Sequence, residues 1–242
     1  MIKYNNSNIN DWNFGDDNII KTYYNGSVCY QKLISGGTPP TPVLPSGYTQ
    51  VEYVENTGTT YINTGFKPNQ NTKIILTTQC VTSTSGGRHI GAGGYDGVNA
   101  IQYDYENGAT GTLHISWGGY AGWATYSDCV GDYNKHTYEW DGNTFYRDKG
   151  TQDEFSATTS YTTYQCTDDL AIFTRFQNGA GGGSTEAFKG KVFDFKLYDD
   201  GTLVRDLIPC YRNSDNKAGM YDIVNDVFYY PPSGDLVAGN PV

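Results

Sequence analysis

The sequence predicts an all-β protein, built as an antiparallel β-sandwich or jelly roll, with a short β-hairpin before it. Glycine (30 residues) and proline (9 residues) recur along almost all of the 242-residue chain, and a glycine costs roughly 1 kcal/mol inside a helix. No window holds apolar residues at helical spacing for long enough to form a core helix. Several short segments instead alternate apolar and polar residues, which is the pattern of a strand that buries one face.

Charge and composition exclude several classes of protein. Asp+Glu (26) exceed Lys+Arg (16), the formal net charge is −10 and there is no basic run, so we do not expect nucleic acid as a partner. Aromatic residues make up 15% of the chain, which is too many for a disordered polymer. The start is polar and no apolar run approaches the roughly 18 residues of a membrane span. We therefore expect neither a secretory signal peptide nor membrane insertion.

The N-terminal residues 1–34 contain a strong hairpin signal. Two β-prone runs flank Asn25-Gly26, the dipeptide that accepts the positive φ angles of a type I′ turn. A lone hairpin is marginally stable in water, so we expect its apolar faces to contact a partner surface. Packing against the larger domain of the same chain is the alternative.

Residues 35–43 predict a linker, because two glycines are followed by Pro39, Pro40 and Pro42, which favour an extended spacer. Residues 44–242 then form the β-domain. The five cysteines are widely separated and include no CxxC pair, so we expect mostly buried, reduced thiols rather than a zinc or redox site. They are Cys29, Cys80, Cys129, Cys166 and Cys210.

Within the β-domain, three segments alternate clearly. The apolar positions are Ile101, Tyr103 and Tyr105; Leu113, Ile115 and Trp117; and Phe193, Phe195 and Leu197. Turns are predicted at 141–143, 149–150, 199–201 and 225–226, where Asp, Asn and Gly tolerate tight or left-handed geometry. Many short strands joined by such turns are typical of a sandwich or jelly roll.

Three blocks of the β-domain carry a family resemblance. Residues 44–65, LPSGYTQVEYVENTGTTYINTG, resemble the opening of a concanavalin A-like (laminin-G-like) jelly-roll domain. Residues 189–198 and 203–210, and then 219–229 (GMYDIVNDVFY), resemble the closing strands of that family, including its tyrosine-aspartate hairpin. The resemblance extends over residues 44–239. It implies a concanavalin A-like, lectin-like domain.

The N-terminal segment resembles short segments on structural proteins of tailed phages that infect Bacteroidetes, including crAss-like phages. Together the two resemblances imply a bacteriophage virion protein, made in the host cytoplasm, that acts as a head fibre or capsid decoration protein and carries its lectin-like domain outward toward a host glycan. We expect residues 1–34 to bind capsid or tail proteins, and we expect a homotrimer because fibres are commonly symmetric. The anchoring residues would be Trp12, Phe14, Ile19, Tyr23, Tyr24, Val28 and Tyr30.

Two alternatives stay open: a free carbohydrate-binding module of a gut bacterium, and a glycoside hydrolase. Hydrolases of this fold use paired carboxylates, and the nearest fragment is Glu139-Trp140-Asp141. Glu139 and Asp141 would share one face of a strand, but Asp141 begins a turn and no further acid follows. We therefore expect no catalytic residues and no enzyme.

Other chemistry-bearing residues have simpler interpretations. His89, His114 and His136 are far apart and no GxSxG context exists, so we expect histidines that are hydrogen-bonded locally. Residues 91–97 are glycine-rich, but a phosphate site needs a following helix, and a tight turn is expected instead. Asp96, Asn99 and Asp104 carry the oxygen atoms that calcium prefers, although solvated turn acids are the alternative. We expect no other cofactor.

The candidate ligand-binding segment is Trp117 to Tyr126, where glycines separate aromatic rings. Tyr120, Trp123 and Tyr126, with Asp96 and Asn99 nearby, could bind a glycan or a partner protein through ring faces and polar groups. The alternative is that these aromatic residues fill the core of the sandwich.

Overall fold

The computed structural model describes two compact units, Met1–Val43 and Leu44–Val242. The described residues are 3–4, 7–8, 22–24, 27–30, 44–58, 60–81, 87–93, 98–106, 112–119, 124–126, 133–158, 163–177, 180–181 and 187–242. The smaller unit contains β1 (Lys3–Tyr4), β2 (Ser7–Asn8), β3 (Thr22–Tyr24) and β4 (Ser27–Tyr30).

The predicted N-terminal hairpin is confirmed. Strands β3 and β4 pair antiparallel, and the Tyr24↔Ser27 pair encloses the Asn25-Gly26 dipeptide. Of the expected anchoring residues, Tyr23, Tyr24, Val28 and Tyr30 lie on these two strands. Trp12, Phe14 and Ile19 lie outside the described residues.

The larger unit is a succession of short strands. In chain order they are β5 (Tyr48–Gln50), β6 (Val54–Asn56), β7 (Ile62–Asn63), β8 (Thr72–Cys80), β9 (Gly87–Ala92), β10 (Val98–Glu106), β11 (Thr112–Gly119), β12 (Ala124–Tyr126), β13 (Lys135–Asp141), β14 (Thr144–Arg147), β15 (Phe155–Thr158), β16 (Ala171–Ile172), β17 (Phe176–Gln177), β18 (Ala180–Gly181), β19 (Gly190–Asp199), β20 (Thr202–Arg212), β21 (Lys217–Asp222), β22 (Val227–Tyr229) and β23 (Val237–Ala238).

Within the described residues these strands form two sheets. The eight-stranded sheet has the order β12-β11-β10-β9-β16-β7, with β17 and β18 attached. The eleven-stranded sheet has the order β15-β14-β13-β8-β19-β20-β21-β22. In addition, β5 pairs with β20, β6 pairs with β19, and β23 pairs with β6. Among the described strands, pairing is antiparallel except between β17 and β9, which pair parallel at Phe176↔Ala92; the isolated bridge Arg88↔Ala187 is also parallel. No helix in the described part of the chain is long and apolar enough to cross a membrane.

The hydrophobic core lies between the two sheets. One buried cluster joins Ile74, Leu76, Phe195 and Leu197 of the eleven-stranded sheet to Ile90, Ile101, Ile115 and Ile172 of the eight-stranded sheet. Each sheet therefore turns one face inward and the other outward. The predicted fold class, an all-β antiparallel sandwich, is confirmed.

One predicted alternation is wrong at a single residue. Phe195 and Leu197 are fully buried, but a β-bulge between Val192 and Asp194 shifts the register of β19 against β8. The extra residue, Phe193, is only half-buried. Because a bulge adds one residue to one strand, Phe193 leaves the row of core side chains that simple alternation assigns to it.

The predicted turns adopt the expected backbone geometry. Gly142, Gly150 and Gly201 have φ angles of 60°, 81° and 75°, and the neighbouring acids Asp200 and Asp226 have φ angles of 47° and 56°. These left-handed conformations are the ones that Gly, Asn and Asp adopt most readily.

The tyrosine-aspartate hairpin between β21 and β22 is held by a buried carboxylate. Asp222 is fully buried; its Oδ1 accepts hydrogen bonds from the backbone N of Asp206 (3.2 Å) and Val224 (3.0 Å), and its Oδ2 accepts one from Nδ2 of Asn225 (2.8 Å). Nε of Arg205 lies 3.5 Å from Oδ2. Asp222 thus has a structural role: it fixes the turn that aligns two strands rich in tyrosine and phenylalanine.

Cys166 and Cys210 are buried, reduced thiols, as predicted. Burial raises the pKa of each to about 12, so neither is a thiolate near neutral pH. Cys80 is half-buried on β8, and Cys29 lies on β4. Cys129 is outside the described residues.

Candidate functional site

The residues expected to bind ligand fall largely outside the described part of the chain. Tyr120, Trp123 and Asp96 are not among the described residues, whereas Tyr126 lies on β12 and Asn99 on β10. Asp104, the other calcium candidate, also lies on β10, where it pairs with His114 and Arg88 in the strand register. The glycan and calcium assignments of these residues stay predictions.

The carboxylates considered for hydrolysis are held by lysines. Glu139 and Asp141 share one face of β13, as predicted, because both bind the same ammonium group, Nζ of Lys73, at 2.9 and 3.1 Å. Nζ of Lys149 lies 2.6 Å from Oε1 of Glu139. Lys149 also lies 4.2 Å from the centroid of the Tyr146 ring.

These contacts oppose a catalytic role for Glu139. Partial burial alone would raise the pKa of Glu139, but the hydrogen bonds from Lys149 and Lys73 outweigh it and hold the pKa below its ordinary value. The general acid of a glycosidase needs the opposite shift, toward a raised pKa. The arrangement is an ion-pair cluster that joins β8, β13 and the turn after β14.

Two of the three histidines are bonded locally, as predicted. His89 is fully buried, stacks on Phe188 at 3.5 Å and lies 3.0 Å from Oγ1 of Thr78 through Nδ1. Burial lowers its pKa well below the ordinary value, so the ring is neutral. His136 contacts Oδ2 of Asp148 through Nδ1 at 2.5 Å. His114 lies on β11. In the glycine-rich segment 91–97, Gly91 and Ala92 lie on β9, and residues 94–97, where a turn is expected, lie outside the described residues.

The strongest candidate site is on the solvent face of the eleven-stranded sheet, beside its terminal strand β22. We name it the edge aromatic cluster and define it as Tyr48, Tyr221, Phe228, Tyr230, Arg212 and Lys217. The register places these side chains together: Arg212 pairs with Tyr48 and with Lys217, and Tyr221 pairs with Phe228. Leu207, Met220 and Tyr229 alternate with them and face the core.

The rings of this cluster are in direct contact. The centroid of Tyr48 lies 4.6 Å from that of Tyr221 and 5.2 Å from that of Phe228. Phe228 and Tyr230 stack at 5.5 Å with an interplanar angle of 22°. Tyr221 is buried, but 46% of the surface of Tyr230 is exposed. The cluster therefore has a packed base and an accessible rim.

Two cations border the rings, and each is neutralised by its own acid. The guanidinium of Arg212 lies 5.3 Å from the Phe228 ring and 5.4 Å from the Tyr230 ring, and it donates to both carboxylate oxygens of Asp215 at 3.1 and 2.6 Å. These hydrogen bonds hold the pKa of Asp215 below its usual range. Nζ of Lys217 donates to Asp235 at 2.8 Å.

A glycine makes room for the cluster. A Cβ on Gly219 would lie 2.3 Å from the backbone O of Tyr229 and 2.8 Å from Cζ of Phe228. No larger residue fits without moving β22 or the Phe228 ring. The glycine of the GMYDIVNDVFY block therefore lets an aromatic ring lie directly against the strand.

This cluster offers apolar ring faces beside hydroxyl, carboxylate and cationic groups, which is the combination that binds a sugar or a protein partner. The sequence pattern did not indicate this cluster and favoured the glycine-separated aromatic residues of 117–126. The available signal was the two-residue spacing of Phe228 and Tyr230, which places both rings on the face opposite Tyr229.

Comparison with known proteins gives similarity of fold alone. No protein-family model and no curated protein matches the sequence. Among solved structures, the chain is similar to CBM40 of the Ruminococcus gnavus IT-sialidase (TM-score 0.42, 9% identity, 62% of this chain and 90% of that one). It is also similar to a SAP-like pentraxin from Limulus polyphemus (TM-score 0.41, 8% identity, 79% and 94%) and to domains LG4-5 of the mouse laminin alpha1 chain (TM-score 0.38, 13% identity, 69% and 45%). The candidate site is defined by this chain's own side chains.

Proposed function

We propose that this chain is a non-enzymatic structural protein of a tailed-phage virion, a head fibre or capsid decoration protein, whose β-sandwich binds a glycan at the edge aromatic cluster. In this proposal the N-terminal hairpin segment attaches the protein to capsid or tail proteins. The observation that carries the glycan-binding role is the stack of Phe228 and Tyr230 on the solvent face, with an exposed rim.

The chemistry of the cluster suits a neutral saccharide. A pyranose ring presents an apolar C–H face and a rim of hydroxyl groups, so it can pack on an aromatic ring and hydrogen-bond at its edges. Arg212 and Lys217 are paired with Asp215 and Asp235, so the cluster carries no excess charge to select an anion. The paired acids and the tyrosine hydroxyl provide acceptors for sugar hydroxyls.

The absence of an enzymatic role in this proposal is supported by the ion pairs of Glu139. Its carboxylate is bound by Lys73 and Lys149, and its pKa is lowered rather than raised. A free carbohydrate-binding module, the alternative function, would use the same edge aromatic cluster. The two functions differ in what residues 1–34 do.

Deletion of residues 1–34 tests the virion role. We expect the shortened chain to fold and to be missing from purified particles, because the hairpin segment carries the attachment residues. Deletion of the linker residues 35–43 alone is the control, since it keeps the hairpin. Normal incorporation of the chain that lacks residues 1–34 would contradict the virion-anchoring role and favour the free module. Light scattering that shows a monomer would contradict the homotrimer.

Glycan binding by the full chain tests the site. We expect Tyr230→Ala to weaken binding to a neutral glycan on an array by about tenfold or more, about 1.4 kcal/mol, with the melting temperature unchanged. Tyr133→Ala is the matched control, because Tyr133 is also an exposed tyrosine (41%). Unchanged binding in Tyr230→Ala together with loss in Trp123→Ala would move the site to residues 117–126. Absence of any bound glycan would contradict the glycan-binding role.

A further inference from the structure

A second group of side chains on the solvent face of the eleven-stranded sheet has a different charge balance from the edge aromatic cluster. We name it the lysine-aromatic patch. It consists of Tyr53, Glu55, Gln79, Lys135, Lys189, Lys191 and Phe193. These residues come from β6, β8, β13 and β19 or lie next to these strands, and none of them belongs to the edge aromatic cluster.

The lysines of this patch differ from most other described lysines in their charge environment. Several other lysines of the protein are paired with acids: Lys73 with Glu139, Lys196 with Asp206, and Lys217 with Asp235. In the parts of the chain that the structure describes, Lys135, Lys189 and Lys191 have no carboxylate within ion-pair distance. Such a group is unexpected in a chain with a net charge of −10, where acids are in excess.

The strand register brings the charges together. Lys135 pairs with Gln79, Gln79 pairs with Lys191, and Lys191 pairs with Glu55. Neighbouring strands lie about 4.8 Å apart, so the backbones of Lys135 and Lys191 are about 10 Å apart across β8. Lys189 directly precedes β19 and is exposed. Three ammonium groups thus surround one short stretch of the sheet.

Aromatic rings hold two of these ammonium groups in place. Nζ of Lys191 lies 4.1 Å from the centroid of the Tyr53 ring, and Nζ of Lys135 lies 4.9 Å from that of Phe193. The two rings are 5.5 Å apart. The bulge in β19 turns Phe193 out of the core, and Gly239 leaves space for Tyr53, since a Cβ there would lie 2.9 Å from the ring. Contact with ring faces favours cations at defined positions.

The patch also contains hydrogen-bond acceptors. Nε2 of Gln79 donates to the backbone O of Tyr133 at 2.9 Å, which orients the amide and leaves Oε1 to accept. Glu55 is the cross-strand neighbour of Lys191 but, among the described residues, forms no ion pair. A dense polyanion would be repelled by the Glu55 carboxylate and by the net negative charge of the protein. A ligand whose single anionic groups are spaced among hydroxyls is complementary to both the lysine cations and the hydrogen-bond acceptors.

From this geometry we propose that the lysine-aromatic patch is a second binding site, which takes an acidic saccharide such as a uronate chain. The carboxylate of the sugar would bind between Lys135 and Lys191, its hydroxyls would bind Gln79 and Glu55, and its C–H face would pack at the edge of Tyr53 or Phe193. The saccharide class rests on the proposed function, but the residues differ from those of the edge aromatic cluster.

Calorimetric titration of the full chain with two probes, an oligogalacturonate and chondroitin sulfate, tests this site. We expect binding of at least one probe at about 50 mM salt and clear weakening at about 200 mM, because charge pairs at an exposed site are screened. The double variant Lys135→Gln/Lys191→Gln should bind at least about tenfold more weakly, with an unchanged melting temperature. Lys67→Gln is the matched control, because Lys67 is an exposed lysine that also lacks an ion pair among the described residues.

Three results would overturn the proposal. They are absence of binding to both probes, equal weakening in Lys67→Gln and in the double variant, and equally tight binding of polyglutamate, which would indicate a general anion surface. Failure here is distinguishable from failure of the proposed function. Binding of a neutral glycan and its loss in Tyr230→Ala depend on the edge aromatic cluster and should be unaffected in the lysine variants.

Discussion

The two faces of the eleven-stranded sheet both carry aromatic side chains, but their surroundings differ. On the core face, Trp140 and Phe145 contact each other edge to face at 5.0 Å and are almost completely buried. On the solvent face, Phe228 and Tyr230 stack beside Arg212, and Tyr230 is 46% exposed. Some aromatic rings are therefore buried in the core and others lie at the surface, and the position of each residue along its strand determines its face.

Strand β22 and the residue after it show this difference most simply. Tyr229 packs against the core cluster, whereas Phe228 and Tyr230 on either side of it face solvent. Because side chains alternate along a strand, neighbouring residues of similar chemistry belong to different faces. Substitutions on the two faces should have separable effects, on stability for the core face and on binding for the solvent face.

The largest effect is expected for Phe195→Ala. Phe195 is fully buried, so the substitution removes apolar contacts and leaves a cavity, and we expect a loss of about 3–5 kcal/mol in the free energy of unfolding. Phe193→Ala, two residues away and half-buried because of the bulge, is the matched control and should lose less than half as much. Chemical denaturation measures both. Equal losses would show that the bulge does not separate the two rings.

A smaller loss of stability is expected for Gly219→Ala. The new methyl group would press on the backbone of Tyr229 and the ring of Phe228, and overpacking of this kind costs about 1–3 kcal/mol. Binding at the edge aromatic cluster should also fall, because the ring must move. Gly58→Ala, which meets nothing within 4 Å, should change stability by no more than about 0.5 kcal/mol. Similar losses in both variants would contradict the close packing at Gly219.

His89 should make stability depend on pH. Its pKa in the folded chain lies well below the ordinary 6.5 because it is fully buried, so below that pH the unfolded chain binds a proton that the folded chain does not. Stability should fall as pH drops through about 6.5, by at most about 1.4 kcal/mol per pH unit. His89 contacts Thr78, Cys80, Phe188 and Tyr138, and its burial is the cause of the lowered pKa. Denaturation of His89→Phe between about pH 7 and 5 should show a shallower slope; an unchanged slope would contradict the assignment.

The smallest effect is expected for Glu139→Gln. Its ion pairs with Lys73 and Lys149 lie at the surface of the sheet, and such pairs contribute about 1 kcal/mol or less. The wild-type chain should release no reducing sugar from mixed polysaccharides, so the variant should have no activity to lose. Measurable turnover that Glu139→Gln abolishes would contradict the non-enzymatic function.

The fold class and turns could be predicted from sequence because they follow local chemistry: alternation for the strands, and Gly, Asn and Asp for the left-handed turn positions. The shared face of Glu139 and Asp141 was predictable for the same reason. The ion pairs that these two carboxylates form with Lys73 were not predictable, because Lys73 comes from β8, far away in sequence. The bulge at Phe193 and the pairing of Arg212 with Tyr48 likewise depend on register between distant strands. The candidate site therefore required the three-dimensional structure.

The most direct test of the central claim compares Tyr229→Ala with Tyr230→Ala in the full chain, measuring both melting temperature and neutral-glycan binding. The two tyrosines are adjacent in sequence but face opposite sides of the sheet. We predict that Tyr229→Ala lowers the melting temperature and leaves the dissociation constant unchanged, and that Tyr230→Ala weakens binding at least about tenfold with the melting temperature unchanged. Equal effects of the two substitutions on binding, or loss of stability alone in Tyr230→Ala, would contradict a glycan site on the solvent face.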